Sequence, residues 1–275
     1  MRAGIIVTYD GSWLGVFTLV FQVYAHRWDV KEIVKSSEKV QAQLFADITT
    51  VITDEQLANR VLKSLRESFG NELIQELYYV FLSELPEADL LLLKAVQFYF
   101  AKAKDPNYQK NIKGSNLRTQ AGGGGVRHNY AEDTVLQVQQ IGRSVSRERH
   151  RMKAFIRFEK MNDGLYVAFI APDFNVLPLI IKHFRDRYTD QCWLIYDVKR
   201  NFGAYYNLHT VEEIILEDGD QGQAVRAISW DAEEALYSDL WKRYFRAVNI
   251  KERKNMKLHI QEVPRRYWKY LTEKK

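Results

Sequence analysis

The sequence predicts an α+β protein, a small, mixed, largely antiparallel sheet flanked by many helices. Three observations carry that expectation. Stretches between Thr53 and Ala103 repeat apolar residues at helical spacing. Short β-rich runs lie between His150 and Arg200, separated by turn residues such as Asp163-Gly164. The chain has 275 residues, 46% hydrophobic and 27% charged, enough to bury a sizeable core. One globular unit over 1–275 is expected. It can be subdivided into an N-terminal strand plus helical layer (1–104), a flexible Gly-rich connection (105–129) and an α+β core (130–275).

Ala3 to Thr8 reads as the first strand. Tyr9-Asp10-Gly11-Ser12 is a turn, and Ser12 or Asp10 can cap a helix running to about Ala25. Such a junction can hold an anion at the helix N-terminus; the same residues also read as a plain structural turn, and no GxxxxGK[ST] loop accompanies them. A short strand is expected around Phe45 to Ile52. Helices follow at Thr53–Phe69, Asn71–Leu82 and Glu87–Ala103. Thr53 serves as cap of the first, with Leu57, Val61, Leu62 and Leu65 inside. The Leu90–Leu93 run suggests that the last is buried on more than one side. The acids of this layer are not read as catalytic. Gly122–Gly125 maximise backbone freedom, as a linker or a flexible flap would.

Tyr130 to Arg149 is a helix leading into a hairpin. Ala154 to Glu159 alternate as a strand, Met161–Gly164 turn, and Leu165–Ile170 return. Asp173 or Asn175 can cap the next helix, which runs to Tyr188 with Pro178 in its first turn. Cys192–Val198 is a buried strand, Arg200–Gly203 a turn and Ala204–Leu208 a further strand. Thr210–Glu217 is ambiguous. Asp218–Gly222 is an acidic turn lacking the remaining ligands of a calcium loop. Ser238–Val248 completes a helix, Leu258–Ile260 is a short extended piece, and Pro264 opens a final helical turn.

Composition excludes some chemistry. A single cysteine, Cys192, allows no intramolecular disulfide and no Cys-based zinc site. No apolar run has membrane-spanning length, and MRAGIIVTYDGSW is not a signal peptide, so a cytoplasmic setting is expected. The six histidines form no HExxH and no paired zinc motif, and no metal or cofactor is assigned. Net charge is +5. From Trp241 onward twelve Lys and Arg face three acids, so that segment carries +9 and the rest −4. Its interleaved aromatics suit a nucleic-acid backbone and bases, or a solvated face over core aromatics. Catalytic candidates are weak: Asp10, with Tyr9 and Ser12, and His150 or His183. Asp197 and Arg200 read as either a salt bridge or a site.

Taken together, YDGSWLG (Tyr9–Gly15), HRMKAFIRF (His150–Phe158), PDFNVLPLIIKHFRDRY (Pro172–Tyr188), QCWLIYDVKRNFGAYY (Gln191–Tyr206) and PRRYWKYLTE (Pro264–Glu273) resemble a bacterial family of DNA-metabolism, DNA-repair-associated proteins. The resemblance implies a radical-SAM protein as companion; some relatives are joined to a uracil-DNA-glycosylase-superfamily domain. This chain carries no such domain, so glycosylase activity does not transfer. The family supplies no catalytic residues.

Charge layout and resemblance together give a DNA-binding or DNA-repair accessory protein as the first expectation. Arg151, Lys153, Arg157, Lys182, Arg185, Arg187 and Arg200 would contact phosphates, and Arg265, Arg266, Tyr267, Trp268 and Lys269 would form a basic-aromatic edge. The alternatives are an enzyme acting on a nucleobase or nucleotide, and a docking module for the radical-SAM companion without direct DNA contact.

Overall fold

β1 (Ile5–Tyr9) is buried almost throughout, because parallel neighbours flank it on both sides: β2 (Val30–Lys35) and β3 (Ile48–Thr50). A strand covered on both faces needs a continuous apolar run, and Ile5-Ile6-Val7 supplies it. The computed structural model describes residues 4–37, 47–105, 133–215, 234, 238, 240, 242–243 and 256–274, with backbone alone at 257–258. The Gly122–Gly125 tract, the Asp218–Gly222 turn and most of the expected Ser238–Val248 helix lie outside these residues. The chain forms two compact units, Met1–Val145 and Ser146–Lys275.

In the first unit, α1 (Trp13–His26) follows β1 directly. Ser12 is its cap, its hydroxyl accepting the Gly15 amide at 2.9 Å. α2 (Glu55–Phe69), α3 (Asn71–Ser83) and α4 (Ala88–Ala103) complete the helical layer. Leu62, Leu65, Phe69, Leu73, Leu77, Leu92 and Tyr99 share its core with Val16, Phe17 and Val20 of α1. Leu91, Leu92 and Leu93 are all buried, so α4 is enclosed on more than one side. The cap of α2 is Asp54 rather than the expected Thr53. Asp54 Oδ1 accepts the amides of Gln56 and Leu57, while the Thr53 hydroxyl donates to Asp10.

α5 (Asp133–Phe155) contains the boundary between the units, and it corrects the expected hairpin. Ala154 and Phe155 belong to this helix, so the first hairpin strand is only β4 (Glu159–Lys160), paired antiparallel with β5 (Tyr166–Ile170). Alternation over six residues does not outweigh a 23-residue helix whose end Arg157 satisfies, donating to the carbonyls of Ala154 (2.7 Å) and Ile156 (3.2 Å). Gly164, at φ +88, closes the expected turn.

α6 (Leu177–Arg187) carries the chain back, so β6 (Trp193–Asp197) lies parallel to β5. β7 (Phe202–Tyr206) and β8 (Val211–Ile215) add antiparallel strands in the order β4-β5-β6-β7-β8. The fold class is therefore α+β: a mixed, largely antiparallel five-stranded sheet with helices around it. The three parallel strands of the first unit form a sheet of their own. Leu258–Ile260, expected to be extended, lies in α7 (Met256–Glu262); nothing in that run stops a helix before Pro264. Pro264 caps the following 3-10 turn, Arg265–Tyr270, and a second covers Thr272–Lys274. Among the described residues no helix is long and apolar enough to cross a membrane.

Candidate nucleic-acid interface

A cavity of about 1010 Å³ lies within the second unit, between α5, the β4–β5 hairpin and α6. The last turns of α5 bring His150 and Lys153 to the cavity, three residues apart, and Arg157, two residues past the helix end, joins them. α6 brings His183 and Arg187, also four apart, with Phe184 and Tyr188 beside them. The aromatic wall is built from the core outward. Phe184 and Tyr188 stack at 6.2 Å with planes 6° apart. Phe158 meets them edge-on at 5.7 and 5.5 Å. Behind them the buried Trp193 stacks on Tyr206 at 5.4 Å. Such contacts hold ring orientation, so the wall is preformed.

The cations around this cavity differ in what they already hold. Arg157 is committed to Glu273 through two hydrogen bonds, at 2.9 and 3.3 Å. Lys153 and Arg187 make no ion pair with any described residue, and both act on His183. Burial, then the charges of Lys153 and Arg187, push His183 below its ordinary value, with Asp186 opposing in part. Asp186 is itself occupied by Lys182 and Arg185 on the exposed side of α6. His183 is thus held neutral near pH 7, between two cations and beside aromatic faces. Glu234 accepts the Lys160 amide at 2.9 Å and the Ser238 hydroxyl at 3.2 Å on the rim.

The remaining candidates have internal roles or lie apart from the cavity. Arg200 is nearly buried: it donates to Asp197 at 2.9 Å and to the carbonyls of Pro172 and Asp173. Burial raises Asp197's pKa, although Arg200 counters it. Arg151 donates to the Gln261 carbonyl. Arg266 spans Asp173 (3.0 Å), Glu148 (3.6 Å) and the Tyr267 hydroxyl (2.8 Å). Tyr267 is buried and donates to Glu148; burial and that bond raise its pKa. The Trp268 indole donates to the Val263 carbonyl, and Arg265 lies 5.8 Å over its ring. Lys269 is exposed, over Tyr270.

Asp10 belongs to the first unit. Its carboxylate accepts the Ser12 amide (2.9 Å) and the Thr53 hydroxyl (2.7 Å). Burial raises its pKa, but those bonds outweigh it and the net shift is downward. His150 and His183, by contrast, line the same cavity. Among the described residues no three His, Cys, Asp or Glu side chains gather as a metal site requires.

Two contributors escape sequence reasoning. Phe158, Tyr166, Phe184 and Tyr188 read as core, although each lines the cavity. Glu148 reads as one charge among RERHR. It is 1% exposed and accepts the amides of Asp173 (2.9 Å) and Phe174 (2.7 Å), fixing the loop that enters α6. Neither Asp173 nor Asn175 caps α6: the cap position before Leu177 falls on Val176, which makes no side-chain cap bond, and the Asp173 carboxylate pairs with Arg266. The available signal was spacing: Glu148 falls on the stripe of Val145 and Met152.

No curated protein matches the chain. One solved structure with weak similarity is a DHH domain described as belonging to a member of a family of ribosomal proteins. Identity is 14%, coverage is 80% of this chain and 58% of that one, and the TM-score is 0.22, too low to carry any argument. The chain thus spans somewhat over half the length of that protein. A family model described as a domain of unknown function, DUF4130, matches residues 115–273, more than half of the sequence, and the chain belongs to that family.

Proposed function

We propose that this chain is a DNA-binding accessory protein of DNA metabolism and repair, holding nucleic acid in the cavity between α5 and α6. One observation carries the reading. Lys153 and Arg187, without carboxylate partners among the described residues, flank a preformed aromatic wall. Cations retain a phosphate backbone, and aromatic faces stack bases at about 1–3 kcal/mol each. Arg265 and Lys269, both exposed, would extend the contact along the 3-10 turn. The family resemblance supports a role beside a radical-SAM protein in the cytoplasm. The test is fluorescence anisotropy with single-stranded, duplex and uracil-containing DNA at two salt concentrations. Binding should fall steeply with salt; no binding at low salt would overturn the reading and favour a docking module for the companion protein.

A second reading, an enzyme acting on a nucleotide or nucleobase, is favoured by His150 and His183 lining one cavity. It requires a product on incubation with nucleotides or oligonucleotides that disappears in both His150→Ala and His183→Ala.

A further inference from the structure

Resting on the nucleic-acid reading, we infer that the cavity takes a base-linked phosphomonoester, with the phosphate between Lys153 and Arg187 and the base on the Phe158–Tyr188 wall.

Charge decides between an internal phosphate and a terminal one. Of the four cations lining the cavity, Arg157 is paired with Glu273 and Lys160 shares the lining with Glu234, which accepts its amide, whereas Lys153 and Arg187 are not paired with described carboxylates. They come from two different helices and line one cavity, with His183 also in its lining. An internal phosphodiester brings a single negative charge. A phosphomonoester brings about −1.5 to −2 at pH 7 and three strong acceptor oxygens. Two cations and an imidazole match the latter in charge and in donors.

The wall decides between a paired base and an unpaired one. The half-buried Phe158 and Tyr188 form a fixed aromatic surface backed by the buried Phe184, with the Arg187 guanidinium 5.7 Å over the Tyr188 ring. A base inside a duplex keeps both faces stacked on its neighbours, so an aromatic wall is reached only by an unpaired or extruded base. The cavity, at about 1010 Å³, stands at the upper end of the ~300–1,000 Å³ common for small-ligand sites. That volume is large enough for a nucleotide, and the lining offers cations for its phosphate and aromatic rings for its base.

The experiment measures binding of the full chain to one single-stranded sequence carrying a 5′-phosphate, a 3′-phosphate or only hydroxyl ends. Thymidine monophosphate, thymidine and inorganic phosphate serve as competitors. A phosphorylated strand should bind about tenfold tighter than the hydroxyl-ended one, as added charge-assisted hydrogen bonds give. Thymidine monophosphate should displace it far better than thymidine or phosphate. Displacement as tight as the strand end itself would identify a free nucleotide as the source of the same chemistry. Lys153→Ala and Arg187→Ala, both on half-exposed or exposed positions, should abolish the preference while leaving thermal unfolding unchanged. Equal affinity for phosphorylated and hydroxyl-ended strands overturns the inference but leaves nucleic-acid binding intact. Equal competition by inorganic phosphate overturns the base contact. No binding to any strand overturns both readings.

Discussion

Glu148→Ala should destabilise the second unit by about 3–5 kcal/mol. The Glu148 carboxylate, with a side chain 2% exposed, accepts two backbone amides and the Tyr267 hydroxyl. Hydrogen bonds to a charged group contribute roughly 1.5–3 kcal/mol each. The buried carboxylate has already lost several kcal/mol of hydration, so the net sits well below the gross sum. The Arg266 contact adds little, being 3.6 Å long with a side chain 43% exposed. Glu148→Gln keeps one acceptor oxygen and should lose about half as much. Urea unfolding followed by tryptophan fluorescence gives the free energies; hydrogen exchange at the Asp173 and Phe174 amides gives the local consequence. Both amides should lose protection in Glu148→Ala, because their acceptor is gone. A loss below about 1 kcal/mol, or unchanged exchange at both amides, would refute the assignment of Glu148 as the anchor of this loop.

Other outcomes follow from the same structure. His183 is depressed in the folded chain, so the stability it contributes is present above pH 6.5 and is lost as pH falls through its lower folded value. Lys153 and His150 come to the same cavity from α5 and Arg157 from just beyond its end, Arg187 and Asp186 act from its own helix, and Lys160 and Glu234 complete the lining. His183→Gln should flatten that acid limb in thermal melts between pH 4 and 7; an unchanged limb would count against it. Gly15→Ala should cost about 1–3 kcal/mol, since a Cβ there would fall 2.2 Å from Oδ1 of Asp10, whose carboxylate is held by one hydrogen bond on each oxygen; wild-type stability would contradict that packing. Asp54→Ala should cost about 1 kcal/mol through loss of the α2 cap, and Thr53→Ala should leave that cap intact; circular dichroism melts of the two variants decide.

What the sequence made legible depended on how far apart the deciding residues lie. Ser12 caps α1 through a bond three residues long, and Pro264 starts its turn through its own ring, so both could be read directly. The apolar β6 run and the Leu-rich α4 were equally plain, because Trp193–Tyr196 and Leu90–Leu93 are unbroken apolar stretches. β2 was not legible: Val30–Lys35 contains three charged residues and becomes a strand by pairing in parallel with β1. The end of α5 was misread because Ala154–Phe158 satisfies both periods over so short a run. Asp173 and Asn175 looked like caps, but the cap position falls on Val176, and the Asp173 carboxylate pairs with Arg266, 93 residues later. Site residues followed the same division. Basic character around His150 and along Lys182–Arg187 was visible, whereas the commitment of Arg157 to Glu273, 116 residues away, was not. Nor could the sequence separate Arg200, committed to Asp197, from Lys153 and Arg187.

The most direct measurement of the central claim is the salt dependence of single-stranded DNA affinity for the wild-type chain and for the Lys153→Ala/Arg187→Ala double variant. Each phosphate contact contributes about 0.7 to the slope of log affinity against log salt for single strands. Loss of both cations should lower the slope by about 1.4 and weaken binding at every salt concentration. An unchanged slope and affinity would contradict the claim that nucleic acid is held between α5 and α6.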